Sequence, residues 1–193
     1  MDVTLIDSPV ANVANIARAL RAAGASLHVT RDAEAIASAR KLVLPGVGSF
    51  IAAMSWLVDN GIDVALHDAV SHGATLLGIC VGHQLLFDLS HEMGTTRGLG
   101  LVRGEIVKYE GVLPVPQIGW NRVTSTSPIV ADGVYYFVNS YAATSTPHEI
   151  ARADYGGPFT AAVQNGRVFG VQFHPEKSSS AGLQVLRNFI AWT

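Results

Sequence analysis

Thr75-Leu76-Leu77-Gly78-Ile79-Cys80-Val81-Gly82-His83-Gln84-Leu85-Leu86-Phe87-Asp88 sets the one cysteine of a 193-residue chain at the end of a continuous apolar run. The run reads as a buried strand and Gly82 to Asp88 as the start of a helix, so Cys80 falls on a tight strand-to-helix turn. Such a turn lifts a side chain above the carboxyl edge of a sheet and strains the backbone beneath it. Glycines at 78 and 82 suit that bend, because a Cβ two residues to either side would collide. The first N–H groups of a helix have no intrahelical partner, and their partial positive charge favours a thiolate over a thiol. The Val81 N–H, next after the cysteine, is the natural first donor to an oxyanion.

Working outward, the first half alternates strand and helix. Val3 to Asp7, Leu27 to Val29, Lys41 to Leu44 and Thr75 to Ile79 read as strands. Asn12 to Ala23, a segment after Ser49, and Ile62 to Ser71 read as helices, which together predict a parallel sheet covered by helices. The second half is richer in strands: Leu101 to Tyr109, Val134 to Val138, Thr160 to Gln164 and Val168 to Phe173, with Asn165-Gly166 as a hairpin turn. A helix from about Ser180 to Trp192 closes the chain. Ligands in open parallel sheets bind at the carboxyl ends of strands, where Cys80 lies, and His174 must fold back to meet it.

Ninety-odd residues after the cysteine, Val171-Gln172-Phe173-His174-Pro175-Glu176 ends an alternating strand with a candidate base and its orienter. On an extended backbone residues i and i+2 share a face, so Glu176 can reach the ring of His174, and Pro175 keeps the pair extended. A thiol attacking an amide needs one group to take its proton and to return one to the departing amine. An imidazole held by a carboxylate does both. His83, three residues after Cys80, could be a rival base or half of a metal site, but no orienting partner or second ligand accompanies it.

Pro45-Gly46-Val47-Gly48 follows the Lys41 to Leu44 strand. Its glycines allow backbone N–H groups to approach a substrate carbonyl oxygen, which makes the Val47 N–H the candidate second oxyanion donor. A peptide unit between two glycines also rotates at low cost, so this loop is expected to gate activity. Trp120 and Asn121 read as part of a loop bounded by Pro114, Pro116 and Pro128.

A hydrophobic content of 49% suits one domain over residues 1–193 with a sizeable core. A net charge of −2 without a basic block gives no footprint for nucleic acid or an acidic membrane. No apolar run approaches a membrane span, and a single cysteine fits a reducing cytoplasm. Nothing in the sequence calls for a cofactor or metal.

The elbow Gly78-Ile79-Cys80-Val81-Gly82 with Gln84-Leu85-Leu86, and the Val171 to Glu176 strand end, resemble the class I, triad-type glutamine amidotransferases. Leu44-Pro45-Gly46-Val47-Gly48-Ser49-Phe50, Pro116-Gln117-Ile118-Gly119-Trp120-Asn121 and Tyr136-Phe137-Val138-Asn139-Ser140-Tyr141 narrow the resemblance to the glutaminase subunits of imidazole glycerol phosphate synthase. The matches run from the first strand to the chain end.

The resemblance implies a flavodoxin-like α/β three-layer sandwich, with a central mostly parallel sheet and an antiparallel extension. It implies hydrolysis of L-glutamine through a cysteinyl thioester by Cys80, His174 and Glu176. Gly46, Gly48, Gln84, Ser140 and Tyr141 would line the glutamine site. Ammonia would pass through a channel to a barrel-shaped cyclase subunit (HisF-type) in a heterodimer, with Asn12, Trp120, Asn121 and Lys177 toward that partner.

Some positions depart from the family's pattern. Asp7-Ser8-Pro9-Val10-Ala11-Asn12 stands where Asp-Tyr-Gly-x-Gly-Asn is usual. Gln117 and Asn139 replace histidines, and His83 a common methionine. Three other readings stay open at this point: a paralogous glutaminase feeding a surface-sugar amidating enzyme, a catalytically idle binding subunit, and a free-standing thiol hydrolase.

Overall fold

The computed structural model describes residues 1–110 and 113–193. The chain runs β1 (Asp2–Ile6), α1 (Val13–Ala22), β2 (Ser26–Thr30), α2 (Ala33–Ala37), β3 (Lys41–Gly46), α3 (Phe50–Asp59), α4 (Ile62–Ser71), β4 (Thr75–Cys80) and the single turn α5 (Val81–Gln84). It continues through β5 (Phe87–Ser90), β6 (Thr96–Arg97), β7 (Val102–Lys108), β8 (Gln117–Ser125), β9 (Gly133–Asn139), β10 (Tyr141–Ala142), β11 (Glu149–Asp154), β12 (Pro158–Asn165), β13 (Val168–Val171), a 3₁₀ turn (Pro175–Lys177) and α6 (Ser179–Ala191).

Among the described residues, nine strands form one sheet in the order β2-β1-β3-β4-β13-β12-β11-β8-β9. The first four and β13 run parallel; from β13 through β12, β11 and β8 to β9 every pairing is antiparallel. A smaller sheet, β10-β7-β5-β6, flanks it. Helices α1 and α6 pack together, and α2 and α3 both pack on α4. This is the α/β sandwich with a mixed sheet that the sequence predicts. Every residue of β3 and β4 is buried, as expected of central parallel strands covered on both faces, and Asn12 caps α1 by accepting from the Asn15 N–H. One continuous core cluster runs from Val3 to Ile190 and includes the Tyr135–Phe173 stack.

Four expectations need correction. The helix after Cys80 is one turn long: after Leu85 the chain leaves the helix, Leu85, Leu86 and Phe87 are buried in the core, and β5 begins at Phe87. His174 does not fold back, because β13 pairs in parallel with β4, Val171 beside Ile79, and delivers it directly to the same edge. Pro175 and Glu176 are not extended but form the 3₁₀ turn, which suits proline because the first helical N–H needs no partner. The segment around Trp120 is the long strand β8 rather than a loop. The short α2, β5, β6, β10 and β11 have no counterpart in the sequence reading.

Candidate active site

Cys80 stands where β4 turns into α5, with φ 56° and ψ −112°, a conformation side chains seldom adopt outside strained functional turns. The strain is held by backbone packed on backbone. A Cβ on Gly78 would lie 2.7 Å from the Gly82 carbonyl carbon, and one on Gly46 would lie 2.8 Å from the Gly82 nitrogen. One on Gly82 would collide with the Leu44 carbonyl oxygen. Strands β3 and β4 therefore close on the elbow only where side chains are missing.

His174 reaches the same point from the end of β13. Its own N–H donates to the Tyr136 carbonyl at 2.9 Å, and its carbonyl accepts from the Ser178 hydroxyl at 2.6 Å. The Tyr136 N–H in turn donates to that hydroxyl at 2.9 Å, so the His174 backbone is pinned against β9. Nδ1 lies 2.8 Å from Glu176 Oε1, with both side chains almost wholly buried. The other Glu176 oxygen is buried and unpartnered. Burial disfavours the imidazolium, but hydrogen bonds to Cys80 and Glu176 and the negative charge of both outweigh it and push the His174 pKa up to about 10. An imidazolium held in this way beside Cys80 is a proton donor in place.

A cleft of about 470 Å³ opens over these groups. Cys80, Val81, His174, Val47, Gly48, Gln84, Ser140, Tyr141, Asn12 and Lys177 line it. Glu176 sits behind His174, and Gly46 is buried in β3. Gln84 is buried, and its Nε2 donates to the Tyr141 carbonyl (2.8 Å) and to Gln172 Oε1 (2.9 Å).

The candidate second oxyanion donor is not poised: the Val47 N–H donates to the Val10 carbonyl at 2.7 Å, tying the Gly46–Gly48 loop to the segment after β1. His83 is no rival base. It is fully buried with both ring nitrogens unpartnered, its ring edge-on to Phe87, and burial lowers its pKa to about 3. Among the described residues no cluster of acidic, histidine and cysteine side chains could hold a metal.

On β8, Trp120 faces outward, 55% exposed and edge-on to Tyr136, over which the Lys177 ammonium lies 5.7 Å from the ring centroid. Asn121, on the opposite face, donates to the Asp154 carbonyl at 2.7 Å and does not join them. Gln117 and Asn139 prove to be cross-strand neighbours. Asn139 Nδ2 donates to the Tyr109 oxygen at 2.7 Å, and the Tyr109 hydroxyl donates to Gln117 Oε1 at 3.4 Å.

Two residues of the site were missed in the sequence. Glu92 enters the cleft from the loop after β5 and accepts from the Phe50 N–H at 2.6 Å. Gln172 is wholly buried, with Nε2 4.0 Å from Cys80 Sγ. Its place between Val171 and Phe173, in an otherwise apolar run at the end of β13, could have singled out Gln172. Nothing local marks Glu92.

Residues 4–192 match the class-I glutamine amidotransferase family, so the chain belongs to that family. The fold agrees: a crystal structure of a glutamine amidotransferase superposes with TM-score 0.80 at 18% identity, covering 97% of this chain and 96% of that one. PurLQS from Thermotoga maritima superposes with TM-score 0.77 at 17% identity, covering 98% and 97%. Within the class, the chain belongs with the imidazole glycerol phosphate synthase subunit HisH proteins. It is 41% identical to that of Geobacillus kaustophilus, covering 96% of this chain and 94% of the relative, and 40% identical to that of Salinibacter ruber, covering 97% and 93%.

Proposed function

We propose that this chain is the glutamine-hydrolysing subunit of an imidazole glycerol phosphate synthase in histidine biosynthesis. The observation that carries the reading is the joining of Cys80, His174 and Glu176 at one strand edge of a class-I amidotransferase fold. The Cys80 thiolate attacks the side-chain carboxamide carbon of glutamine, and the resulting oxyanion takes the Val81 N–H. His174, as imidazolium, gives its proton to the departing nitrogen. The C–N bond breaks, ammonia leaves, and a thioester remains. A water that loses its proton to His174 then cleaves the thioester to glutamate and free Cys80. Glu176 holds the imidazole by Nδ1 and balances its charge throughout.

Gln84, Ser140 and Tyr141 hold the amino-acid end of glutamine. Since both Gln84 N–H groups are engaged inward, its Oε1 is the atom left for the substrate ammonium, and the Glu92 carboxylate adds the matching charge. The Val47 N–H must leave Val10 before it can serve as the second oxyanion donor, and a partner or its ligand drives that rotation. The partner is a barrel-shaped cyclase subunit, which receives ammonia and forms imidazole glycerol phosphate and aminoimidazole carboxamide ribotide. It docks over Trp120 and Lys177, beside Asn12. The reading treats residues 1–193 as one domain, which the continuous core supports.

The test is glutamate release from glutamine by the purified chain, alone and with a histidine-pathway cyclase subunit and its nucleotide ligand, against Cys80→Ala. Strong stimulation, absent from the variant, is expected. Cys80-dependent activity indifferent to the cyclase would overturn the partner, and a Cys80→Ala chain that still hydrolyses glutamine would overturn the chemistry.

A further inference from the structure

The sulfur of Cys80 has one amide hydrogen-bond donor that the thioester chemistry above does not use. Among the described residues, Sγ also meets the Val138 carbonyl oxygen at 3.9 Å and Gln172 Nε2 at 4.0 Å. A carbonyl oxygen only accepts, so it opposes a thiolate, whereas an amide N–H favours one. A glutamine amide can present either end, however, and turned over it would aim its oxygen at the sulfur.

The orientation is fixed from a distance. The Tyr141 carbonyl can only accept and takes one N–H of Gln84 Nε2 at 2.8 Å. The other Gln84 N–H goes to Gln172 Oε1 at 2.9 Å, which leaves the Gln172 NH₂ toward Cys80. Asn139 Nδ2 donates to the same Tyr141 carbonyl at 2.9 Å, and the Gln172 backbone N–H is held by the Ala161 carbonyl at 2.9 Å. Gln172 is completely buried, so water cannot replace either of its side-chain contacts.

We propose that Gln172 is a positioning residue for the thiolate: its amide N–H is steered onto Cys80 Sγ by a relay that begins at the Tyr141 carbonyl and passes through Gln84. This rests on the reading of Cys80 as the nucleophile. The relay uses only the nitrogen of Gln84, so a ligand that occupies Gln84 Oε1 leaves it intact.

The test is the pH dependence of Cys80 alkylation by iodoacetamide in the wild-type chain, Gln172→Met and Gln84→Met, with thermal melting as the fold control. Loss of one donor to the sulfur moves the titration up by about one unit, so alkylation below the midpoint slows by about ten-fold. Gln84→Met shifts the same way, because it frees Gln172 to turn over, and it decides the matter if Gln172→Met does not fold. A purely structural role lowers the melting temperature and leaves the titration where it was. A folded variant that titrates with the wild type overturns the relay, even if glutamine hydrolysis still depends on Cys80. Hydrolysis that survives Cys80→Ala overturns instead the reading on which the relay rests.

Discussion

The backbone N–H of Val47 donates to the carbonyl of Val10 at 2.7 Å. An amide proton serves one strong acceptor at a time, so in the resting loop the Val47 N–H is not available to an oxyanion over Cys80. One such donor is worth about 10²–10³ in turnover. The isolated chain is therefore expected to hydrolyse glutamine slowly and to gain on the order of 10² or more in kcat when partner and nucleotide are added. Amide hydrogen exchange provides a second check: Val47 protection should change on activation. Full turnover by the chain alone would contradict this.

Glu176→Gln keeps the shape of the buried orienter and removes its charge. With the raised His174 pKa deprived of one of its supports, the imidazolium is lost at lower pH. Turnover should fall by about 10²–10⁴, and the alkaline limb of the pH–rate profile should move down, a result that steady-state assays from pH 6 to 10 would reveal.

His83 makes an acid-stability prediction. Its folded pKa of about 3 lies below the ordinary 6.5, so the neutral ring contributes stability that is fully present above pH 6.5 and lost as pH falls toward 3. The slope is about 1.4 kcal/mol per pH unit. His83→Met removes that slope and the two unpartnered nitrogens, so urea denaturation should show a gain over wild type at pH 7.5 that grows by about 2 kcal/mol at pH 5.

Lys41 carries a structural load at the opposite end of β3. Its buried ammonium donates to the carbonyls of Phe189, Ile190 and Trp192 at 3.1, 2.6 and 2.6 Å, closing the C-terminus of α6. Lys41→Met should cost about 2–4 kcal/mol by denaturant titration while glutamine hydrolysis at 25 °C persists.

Trp120→Ala tests the proposed docking face. The side chain is more than half exposed, so the melting temperature should hardly move, whereas the dissociation constant for the cyclase, measured calorimetrically, should rise by about 30-fold, the effect of a central aromatic anchor.

The parallel half of the fold was legible because its central strands β3 and β4 are largely apolar and buried throughout, β1 alternates, and its helices are amphipathic. Strand β8 was not, for a physical reason: Gln117 points inward and is buried, while Ile118 and Trp120 point out. That inverts the usual pattern and, with a glycine between them, reads as a loop. The short extent of α5 was hidden because Leu85, Leu86 and Phe87 suit a helix as well as the bend that buries them. The contact between His174 and Glu176 was foreseen, but an extended backbone was expected where a 3₁₀ turn makes it. The Val47 amide lay beyond sequence reading altogether, since its partner at Val10 is set by tertiary approach and carries no side-chain signature.

The parallel pairing of β13 with β4 ties chemical competence to the order of synthesis. Cys80 leaves the ribosome long before β13 exists, and until Val171 lies beside Ile79 the thiol has neither its imidazole nor its buried carboxylate. A slip of one residue in that pairing would displace the base by about 3.3 Å and turn every side chain of the strand to the opposite face. On the proposed chemistry, nascent and misregistered chains thus carry a thiol without its base, and only a chain built through the 3₁₀ turn and correctly zipped along its central seam brings Cys80, His174 and Glu176 together.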